Sequence, residues 1–320
     1  KPRILFVVSV FWTFNIHRYS VARFLQANGY EVAVACADPP IDGEDEFGIR
    51  FFPIPVRRES LGPVVLIKEV VALNRVLRLW RPTIIHAVAL RMIVITGILK
   101  LFRPKQKVIN AMAGMGTLFS GGKLSLKLRV VRRILCLCFR RFLKGERVIT
   151  LFQNGDDLEF AQSQGWIDNK KVFIVRGVGV PLNYARVRER NSLCPVIFLF
   201  VGRLLIDKGV RDLIGAGEIL AKAGANFRLG IVGKIDPSNP NSLTESEVMG
   251  WKTYDWLDFH GWMENVKELI KSSDVVVLPS YREGLPKALV EAGAVGRAII
   301  TCDTMGCREV VVDGLNGFLV

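Results

Sequence analysis

The sequence has no long hydrophobic run, although half of its 320 residues are hydrophobic. Its apolar segments, such as Ile4–Val10, Val196–Val201 and Val275–Leu278, are short and are bounded by polar or turn residues. A membrane-spanning helix needs about 20 apolar residues in succession, whereas a buried parallel strand needs only about four to eight. The pattern therefore predicts buried strands and no transmembrane helix.

The first residues do not resemble a secretory signal. The chain begins with Lys1-Pro2-Arg3 directly before its first apolar strand, without the longer apolar core and small-residue cleavage site of a signal peptide. Six cysteines lie mostly inside apolar segments, and no Cys-x-x-Cys pair or histidine-rich segment accompanies them. We therefore expect a cytoplasmic protein with reduced cysteines and no metal site built from them.

Short strands alternate with helix-length segments along the chain, which is typical of doubly wound parallel sheets. The predicted strands are Ile4–Val10, Glu31–Cys36, Thr83–Val88, Lys107–Ala111, Val148–Phe152 and Val172–Val175 in the first half, and Val196–Val201, Arg228–Val232, Asp274–Leu278 and Ala298–Thr301 in the second. A polar stretch, residues 186–192, separates the two series. The sequence thus predicts an α/β protein with two Rossmann-like domains, 1–188 and 189–320, and a cleft between them. Because no helix-length segment follows the last turn, we expect the second domain to be incomplete at its C-terminus.

The net charge of +14 is distributed unevenly. Residues 1–190 contain 31 Lys and Arg against 14 Asp and Glu, a net of +17, whereas residues 191–320 contain 13 against 16, a net of −3. The two domains are therefore expected to face different partners, with anionic partners drawn to the first.

One strand of the second half ends in a glycine and is followed by two cations, in Phe200-Val-Gly-Arg-Leu-Leu-Ile-Asp-Lys-Gly209. Ligands of open α/β sheets bind at the carboxyl ends of the strands, where Arg203 and Lys208 could clamp an anion such as a diphosphate. Taken alone, the same segment also fits a solvated basic turn.

A second polar turn follows the predicted strand Asp274–Leu278, within Pro279-Ser-Tyr-Arg-Glu-Gly-Leu-Pro-Lys-Ala-Leu-Val-Glu291. Pro286 fits the first position of a helix, and Gly284 allows a ligand to approach the backbone closely. The backbone N–H groups within residues 285–287, those of Leu285 and Lys287, would then attract phosphate.

Two carboxylates bracket this turn. Glu283 could accept hydrogen bonds from sugar hydroxyls, and Glu291, inside the helix, could bind both ribose hydroxyls. The alternative is that Glu283 is only a helix N-terminal charge and Glu291 a solvated helix residue.

In this combination and order, the motifs resemble those of the retaining family-4 glycosyltransferases, which have the GT-B fold. The resemblance rests on Gly202-Arg-Leu-Leu-Ile-Asp-Lys-Gly209, on Glu283-Gly-Leu-Pro-x4-Glu291, and on Gly306-Cys-Arg-Glu-Val310 with Asp313-Gly-x-x-Gly317. It implies sugar transfer from a nucleotide-diphosphate donor with retention of anomeric configuration. Glu283, Arg203 and Lys208 would be the catalytic groups, the two cations stabilising the leaving diphosphate.

The resemblance also implies a set of donor-binding residues. Besides the groups already named, these are Gly202, Gly233, His260, Gly261, Gly284, Leu285 and Pro286. The nucleotide base is expected near Val232-Gly-Lys234 and His260-Gly-Trp262, because both segments follow strands at the same sheet edge. His260 could instead be a packed loop histidine.

The first half is similar to the branch of this family that builds capsular, O-antigen and lipid-linked oligosaccharides. The similar stretches are Val10–Arg18, Asn110–Phe119 and Arg176–Val180. The branch implies a UDP donor carrying an N-acetylhexosamine or a hexose, and a polyprenyl-diphosphate-linked or glycan acceptor. The acceptor would contact His17, Arg18, Gly114 and Gly116. Two features depart from the family pattern: no glycine lies between Ser9 and Arg18, and Ala113 stands where many members have a histidine.

No Asp-x-Asp motif occurs in the sequence, and the acidic pair Asp156-Asp157 opens a helical segment instead of following a strand. Arg203 and Lys208 would supply the positive charge that a divalent metal supplies in other transferases. We therefore expect a reaction that needs neither a metal nor a cofactor.

A basic amphipathic helix is predicted between Lys123 and Arg147, a segment with nine Lys and Arg and one acid, Glu146. At 100° per residue, one side of this helix is apolar (Leu124, Leu128, Val131, Leu135, Phe139 and Phe142) and the other carries Arg129, Arg133, Arg140 and Lys144. Such a helix can lie on an anionic membrane, which would place the protein on the inner face of the plasma membrane. Alternatively, its apolar side packs on the sheet and its charges are merely solvated.

Two other functions fit parts of the sequence. A GT-B-type sugar-nucleotide epimerase would use the same nucleotide site, and it would convert the donor without an acceptor. A non-enzymatic, basic nucleotide- or nucleic-acid-binding protein is suggested only by the charge of the first half, which contains no recognition motif. We expect no nucleic-acid partner.

Overall fold

The computed structural model describes residues 1–40, 43–45, 47–57, 62–115, 119, 125–168, 171–177, 179–180, 194–237, 239, 241–263 and 265–320. The chain divides into two compact units, Lys1–Val178 and Gly179–Val320. The predicted linker and the predicted boundary after residue 188 lie outside the described residues, so that boundary stays a prediction.

The first unit is built on a parallel sheet. Its described strands are β1 (Arg3–Val10), β2 (Glu31–Ala37), β3 (Arg50–Pro53), β4 (Ile84–Val88), β5 (Lys107–Met112), β6 (Val148–Phe152) and β7 (Val172–Ile174), in the order β3-β2-β1-β4-β5-β6-β7. Its helices are α1 (Phe11–His17), α2 (Tyr19–Ala27), α3 (Pro63–Trp80), α4 (Leu90–Leu101), α5 (Leu126–Phe142) and α6 (Gly155–Ser163). One core includes Leu5, Leu73 and Phe139, and a second core, of Phe6, Phe14 and Phe51, uses the alternate residues of β1.

The second unit repeats this arrangement with a sheet of its own. Its described strands are β8 (Val196–Val201), β9 (Phe227–Val232), β10 (Leu257–Gly261), β11 (Val275–Leu278), β12 (Ala298–Thr301) and β13 (Gly317–Leu319), all parallel, in the order β10-β9-β8-β11-β12-β13. Its helices are α7 (Val210–Lys222), α8 (Glu245–Trp251), α9 (Lys267–Ser272) and α10 (Lys287–Val295). The order reverses direction at β8 and β11, and such a switch point is where α/β sheets bind ligands.

The prediction of two doubly wound parallel sheets is confirmed, and each of the ten predicted strands is present. Three further strands were not among the predicted ones: β3, β10 and β13, of four, five and three residues. Within the described residues, no helix has an apolar stretch of the length needed to cross a bilayer.

Candidate active site

The loop after β8 is fixed in place by two glycines. The N–H of Gly202 donates to the carbonyl of Val232 at 3.0 Å, which ties the loop to the end of β9. Gly209 has a φ of +69°, and a Cβ added there would lie 2.0 Å from the carbonyl oxygen of Pro279. No other residue fits this position without moving the backbone, because the loops after β8 and β11 touch there.

Lys208 meets Glu283 at this contact, which joins the two predicted motifs. Its ammonium group forms an ion pair with Oε1 of Glu283, and the two side chains are only 17% and 12% exposed. A paired cation and carboxylate at this burial are held by each other, because solvent screens them little. The interpretation of this segment as a solvated basic turn is therefore wrong for Lys208, and Glu283 is more than an exposed helix-end charge.

Three further hydrogen bonds lock the turn after β11. The N–H of Tyr281 and the hydroxyl of Ser280 both donate to the carbonyl of Asp207, at 3.0 and 3.1 Å. The N–H of Glu283 donates to the carbonyl of Met305 at 3.1 Å. The position of the Glu283 carboxylate is thus set by the loops after three neighbouring strands.

Arg203 is oriented by an acid that the sequence analysis did not single out. Its Nη1 atom donates to Oδ2 of Asp236 at 3.0 Å, and Asp236 follows β9 on the neighbouring loop. That loop is joined to the arginine's loop by bonds from the N–H of Leu204 to the carbonyl of Lys234 and from that of Ile206 to Asn241. No sequence spacing links the two residues, because the sheet order alone makes their loops neighbours.

Helix α10 begins one residue later than predicted. Pro286 precedes the helix as its N-cap, with φ −74° and ψ 108°, and Lys287 is the first helical residue. The first N–H groups of a helix have no partner within the helix, so those of α10 remain a favourable place for an anion. One turn on, the Glu291 carboxylate pairs with Lys287 at 3.2 Å.

The predicted base-binding residues lie together at the end of β9 and β10. The N–H of Gly233 donates to the carbonyl of Gly261 at 2.8 Å, and a Cβ on Gly233 would lie 1.9 Å from the carbonyl oxygen of Gly202. His260 is exposed, with Nε2 near the backbone of Gly230. Trp262 is exposed as well, beneath the ammonium group of Lys234.

At this edge, three cations therefore each hold a carboxylate: Arg203 with Asp236, Lys208 with Glu283, and Lys287 with Glu291. An entering diphosphate offers these cations stronger, multiply charged partners than a single carboxylate. The released carboxylates are acceptors suited to hydroxyl groups. The edge can thus bind a molecule that carries both phosphates and sugar hydroxyls.

In the first unit, Arg18 connects α1 and α2 after β1, and its guanidinium faces His86 of β4. Burial lowers the pKa of Arg18, and burial together with the positive charge of Arg18 lowers the pKa of His86 to about 3, so His86 is neutral. Among the described residues, the buried Arg18 Nε and His86 Nε2 have no hydrogen-bond partner. His86 also stacks on Phe6. Sequence reasoning missed His86 because a histidine within a buried strand resembles a core residue.

The other predicted acceptor residues are less completely placed. His17 ends α1, and Gly114 follows β5 with a φ of +92°. The carboxyl ends of β1 and β5 lie at one edge of the sheet, since all its strands are parallel. Gly116 lies outside the described residues.

A buried ion pair supports this part of the first unit. Glu69 of α3 is fully buried and accepts hydrogen bonds from Nε and Nη2 of Arg91 at 2.9 and 2.7 Å, and from the N–H of Arg57 at 3.1 Å. We expect Glu69→Gln to lower the free energy of unfolding by about 2 kcal/mol, because a poorly solvated guanidinium loses its counter-charge. Urea unfolding measures this. The control Glu31→Gln, which breaks an exposed ion pair with Arg3, should lower the free energy of unfolding much less. Equal losses would show that the Glu69 pair contributes no more than a surface pair.

Helix α5 packs its predicted apolar side inward. Phe139 and Phe142 are buried in the core, and Leu135 packs against it, while Leu124 lies outside the described residues. The outward side, here called the outer face of α5, carries four exposed apolar residues (Leu126, Val130, Ile134 and Leu137) beside four exposed arginines (Arg129, Arg133, Arg140 and Arg141). The predicted apolar side is thus unavailable to a membrane, whereas a second apolar stripe is exposed.

Each half of the chain matches a family model of known proteins. Residues 186–320 match the family model described as glycosyl transferases group 1, and residues 3–143 match the model described as glycosyl transferase 4-like. An N,N'-diacetylbacillosaminyl-diphospho-undecaprenol alpha-1,3-N-acetylgalactosaminyltransferase from Campylobacter jejuni is 28% identical over 85% of this chain and 72% of the relative. A UDP-Gal:alpha-D-GlcNAc-diphosphoundecaprenol alpha-1,3-galactosyltransferase from Escherichia coli is 23% identical over 96% of this chain and 80% of the relative.

Solved structures show the same fold. Sucrose-phosphate synthase from Thermosynechococcus elongatus superposes with a TM-score of 0.79 at 17% identity, covering 100% of this chain and 86% of that one. The structure of WaaG, a glycosyltransferase involved in lipopolysaccharide biosynthesis, superposes with a TM-score of 0.73 at 16% identity, covering 99% and 85%.

Proposed function

Because the chain belongs to the family-4 glycosyltransferases and has their GT-B fold, we propose that it transfers a sugar from UDP to a lipid-linked or polysaccharide acceptor during cell-surface glycan synthesis. The names of the two relatives support an N-acetylhexosamine or a hexose as the sugar and a polyprenyl-diphosphate-linked acceptor. Transfer proceeds with retention of anomeric configuration.

The contact between Lys208 and Glu283 is the observation that carries this proposal. It brings a cation from the loop after β8 next to a carboxylate from the loop before α10. A nucleotide sugar has this same pairing of groups, since its diphosphate joins directly to its sugar hydroxyls. Lys208 binds the diphosphate, and Glu283, once released, accepts hydrogen bonds from the sugar.

The proposal includes further donor contacts. Arg203 and the first N–H groups of α10, near Leu285 and Pro286, bind the diphosphate with Lys208. When the donor binds, the Glu291 carboxylate separates from Lys287 and accepts hydrogen bonds from the ribose hydroxyls. The base lies beside Gly233, His260 and Gly261, and the backbone of Gly202 and Gly284 leaves room for the phosphates.

Chemistry depends on stabilising the diphosphate as the bond to the sugar breaks. Positive charge already fixed at Arg203 and Lys208 becomes most favourable as negative charge develops on the leaving oxygen. The acceptor hydroxyl attacks from the face that the diphosphate leaves, and the diphosphate itself takes the acceptor proton. No separate general base is required.

The cations lead to a prediction about metal ions. Since Arg203 and Lys208 neutralise the leaving group, we expect the transfer rate with EDTA to equal the rate with added Mg²⁺ or Mn²⁺ within about twofold. A transferase in which a metal performs this task loses several kcal/mol of transition-state stabilisation on chelation. Initial rates in the two buffers measure the difference, and a loss of activity in EDTA that Mn²⁺ restores would contradict the prediction.

The acceptor binds at the carboxyl edge of the first unit. Arg18, whose buried Nε lacks a protein partner among the described residues, binds a phosphate of the acceptor diphosphate, and His17, Gly114 and Gly116 line the approach. The outer face of α5 holds the enzyme on the cytoplasmic leaflet of the plasma membrane, its apolar residues in the interface and its arginines on anionic headgroups.

Product analysis tests the proposed function. Purified protein is incubated with UDP-GlcNAc, UDP-GalNAc, UDP-Glc or UDP-Gal, with and without a polyprenyl-diphosphate-linked sugar, and the products are identified by mass spectrometry and NMR. We expect one donor to give a lengthened acceptor with an α linkage. Conversion of the donor without an acceptor would indicate an epimerase instead.

A further inference from the structure

Two cavities lie at the opposite edge of the first sheet from the predicted acceptor residues. Two adjoining cavities of about 640 and 320 Å³ open at the amino ends of β4, β5 and β6 and share Pro104 and Arg147 in their walls. Together they form one groove, here called the amino-edge groove. None of the donor or acceptor residues discussed above lines it.

The walls of the amino-edge groove are strongly basic. They include Lys100, Arg103, Lys105, Lys107, Arg141, Lys144 and Arg147, against one acid, Glu146. Lys144 pairs with Asp168 at 3.4 Å, and Arg103 donates to the side chain of Asn74. Within the described part of the chain, no carboxylate lies within 4.0 Å of Lys105, Lys107, Arg141 or Arg147.

The positively charged side chains of this groove repel one another. Burial lowers the pKa of Lys100, and the neighbouring Arg147 and Arg141 lower it further. The Lys100 ammonium is held there by the carbonyls of Pro104 and Gln106, at 3.3 and 2.9 Å. A bound anion would relieve this repulsion, so the groove is better suited to a phosphate than to solvent alone.

Exposed apolar residues stand at the rim. Phe102 is 81% exposed, and Leu101, which lines the groove, is 46% exposed. The outer face of α5 ends at the amino-edge groove, because Arg141, the last arginine of that face, also lines the groove. The 17 residues of α5 span roughly 25 Å, from the loop that follows β5 to the start of β6. A membrane lying along α5 would therefore reach both edges of the sheet.

We propose that the amino-edge groove binds the phosphate headgroup of an anionic phospholipid, while Phe102 and Leu101 enter the membrane interface beside it. The proposal extends the membrane association proposed above and needs no transfer chemistry. Nucleic acid would use the cations but would leave Phe102 and Leu101 in water, and a membrane satisfies both.

Vesicle binding tests the headgroup contact. The double variant Lys105→Gln/Arg147→Gln is compared with wild type on vesicles of phosphatidylcholine with and without phosphatidylglycerol. Each cation near an anionic surface raises the vesicle partition coefficient about fivefold. We therefore expect the double variant to partition about 25-fold less onto the anionic vesicles. The control Lys222→Gln/Lys252→Gln removes two exposed charges from the second unit and should change binding less than twofold. Equal losses for both pairs would mean that net charge alone attracts the protein and would overturn the proposal.

A second variant tests the apolar rim. Phe102→Ser should lower partitioning about tenfold and should do so at high salt as well, because apolar burial is not screened. Leu315→Ser, which also replaces a residue 81% exposed, is the control in the second unit and should have no effect. Unchanged vesicle binding by Phe102→Ser would overturn the apolar half of the proposal.

Further measurements separate this site from the transferase site and from other anions. The groove variants should bind UDP with the same affinity as wild type. The groove proposal and the proposed transferase function can therefore each fail while the other holds. Inorganic phosphate in millimolar excess should not displace the protein from vesicles, since it lacks the apolar contact. If phosphate displaces it fully, or if the double variant loses duplex DNA binding but not vesicle binding, the lipid assignment is wrong.

Discussion

Replacing Lys208 by methionine is expected to lower kcat by about 10²- to 10³-fold, the usual effect of removing one group that stabilises charge in a transition state. Lys208 is half-buried, forms an ion pair with Glu283 and is proposed to bind the leaving diphosphate. Its loss removes that positive charge and leaves a carboxylate facing the phosphates. KM for the donor should rise less than kcat falls, because the charge on the diphosphate is largest as the sugar bond breaks.

Two variants control for this result. Lys271→Met removes a lysine that pairs with Glu268 on the surface of α9 and should leave kcat unchanged. Lys208→Arg keeps the positive charge on a side chain of different shape and should therefore retain part of the wild-type rate. An active Lys208→Met enzyme with normal kcat would exclude Lys208 from leaving-group stabilisation.

Replacing Gly209 by alanine is expected to disorder the donor site and to lower the free energy of unfolding by roughly 3 kcal/mol. The backbone at Gly209 is left-handed, and an added Cβ would lie 2.0 Å from the carbonyl oxygen of Pro279. The two loops that hold Lys208 and Glu283 would have to separate. UDP affinity should therefore fall together with stability.

Gly215→Ala is a matched control for that change. Gly215 lies within α7, only six residues away, and a Cβ added there meets nothing within 4 Å. Alanine should stabilise the helix by up to about 1 kcal/mol and leave UDP binding unchanged. Thermal unfolding and calorimetry measure both variants, and a Gly209→Ala protein as stable as wild type would contradict the close contact.

The sequence predicted the groups of the donor edge but not how they are paired. Arg203, Lys208, Glu283 and Glu291 belong to local motifs whose spacing is visible along the chain. Asp236 became a partner of Arg203 only because β9 lies beside β8 in the sheet. Such contacts depend on strand order, which no local pattern contains.

Helix α5 shows a different limit of sequence reasoning. Its pattern contains two apolar stripes, and both are compatible with a helix of this length. Packing of Phe139 and Phe142 into the core decides which one faces inward. The exposed stripe that begins at Leu126 could be recognised only once that packing was known. The amino-edge groove was missed for a similar reason, since its cations come from two segments of the chain, residues 100–107 and 141–147, that are not close in sequence.

Calorimetric titration with UDP in metal-free buffer is the decisive experiment for the proposed donor site, using wild type, Arg203→Ala and Glu291→Ala, with Lys271→Met as the control. We expect wild type and Lys271→Met to bind one UDP with equal affinity, both other variants to bind it at least tenfold more weakly, and GDP to bind less tightly than UDP. UDP binding that neither Arg203→Ala nor Glu291→Ala weakens would contradict the assignment of the donor site to this edge of the second sheet.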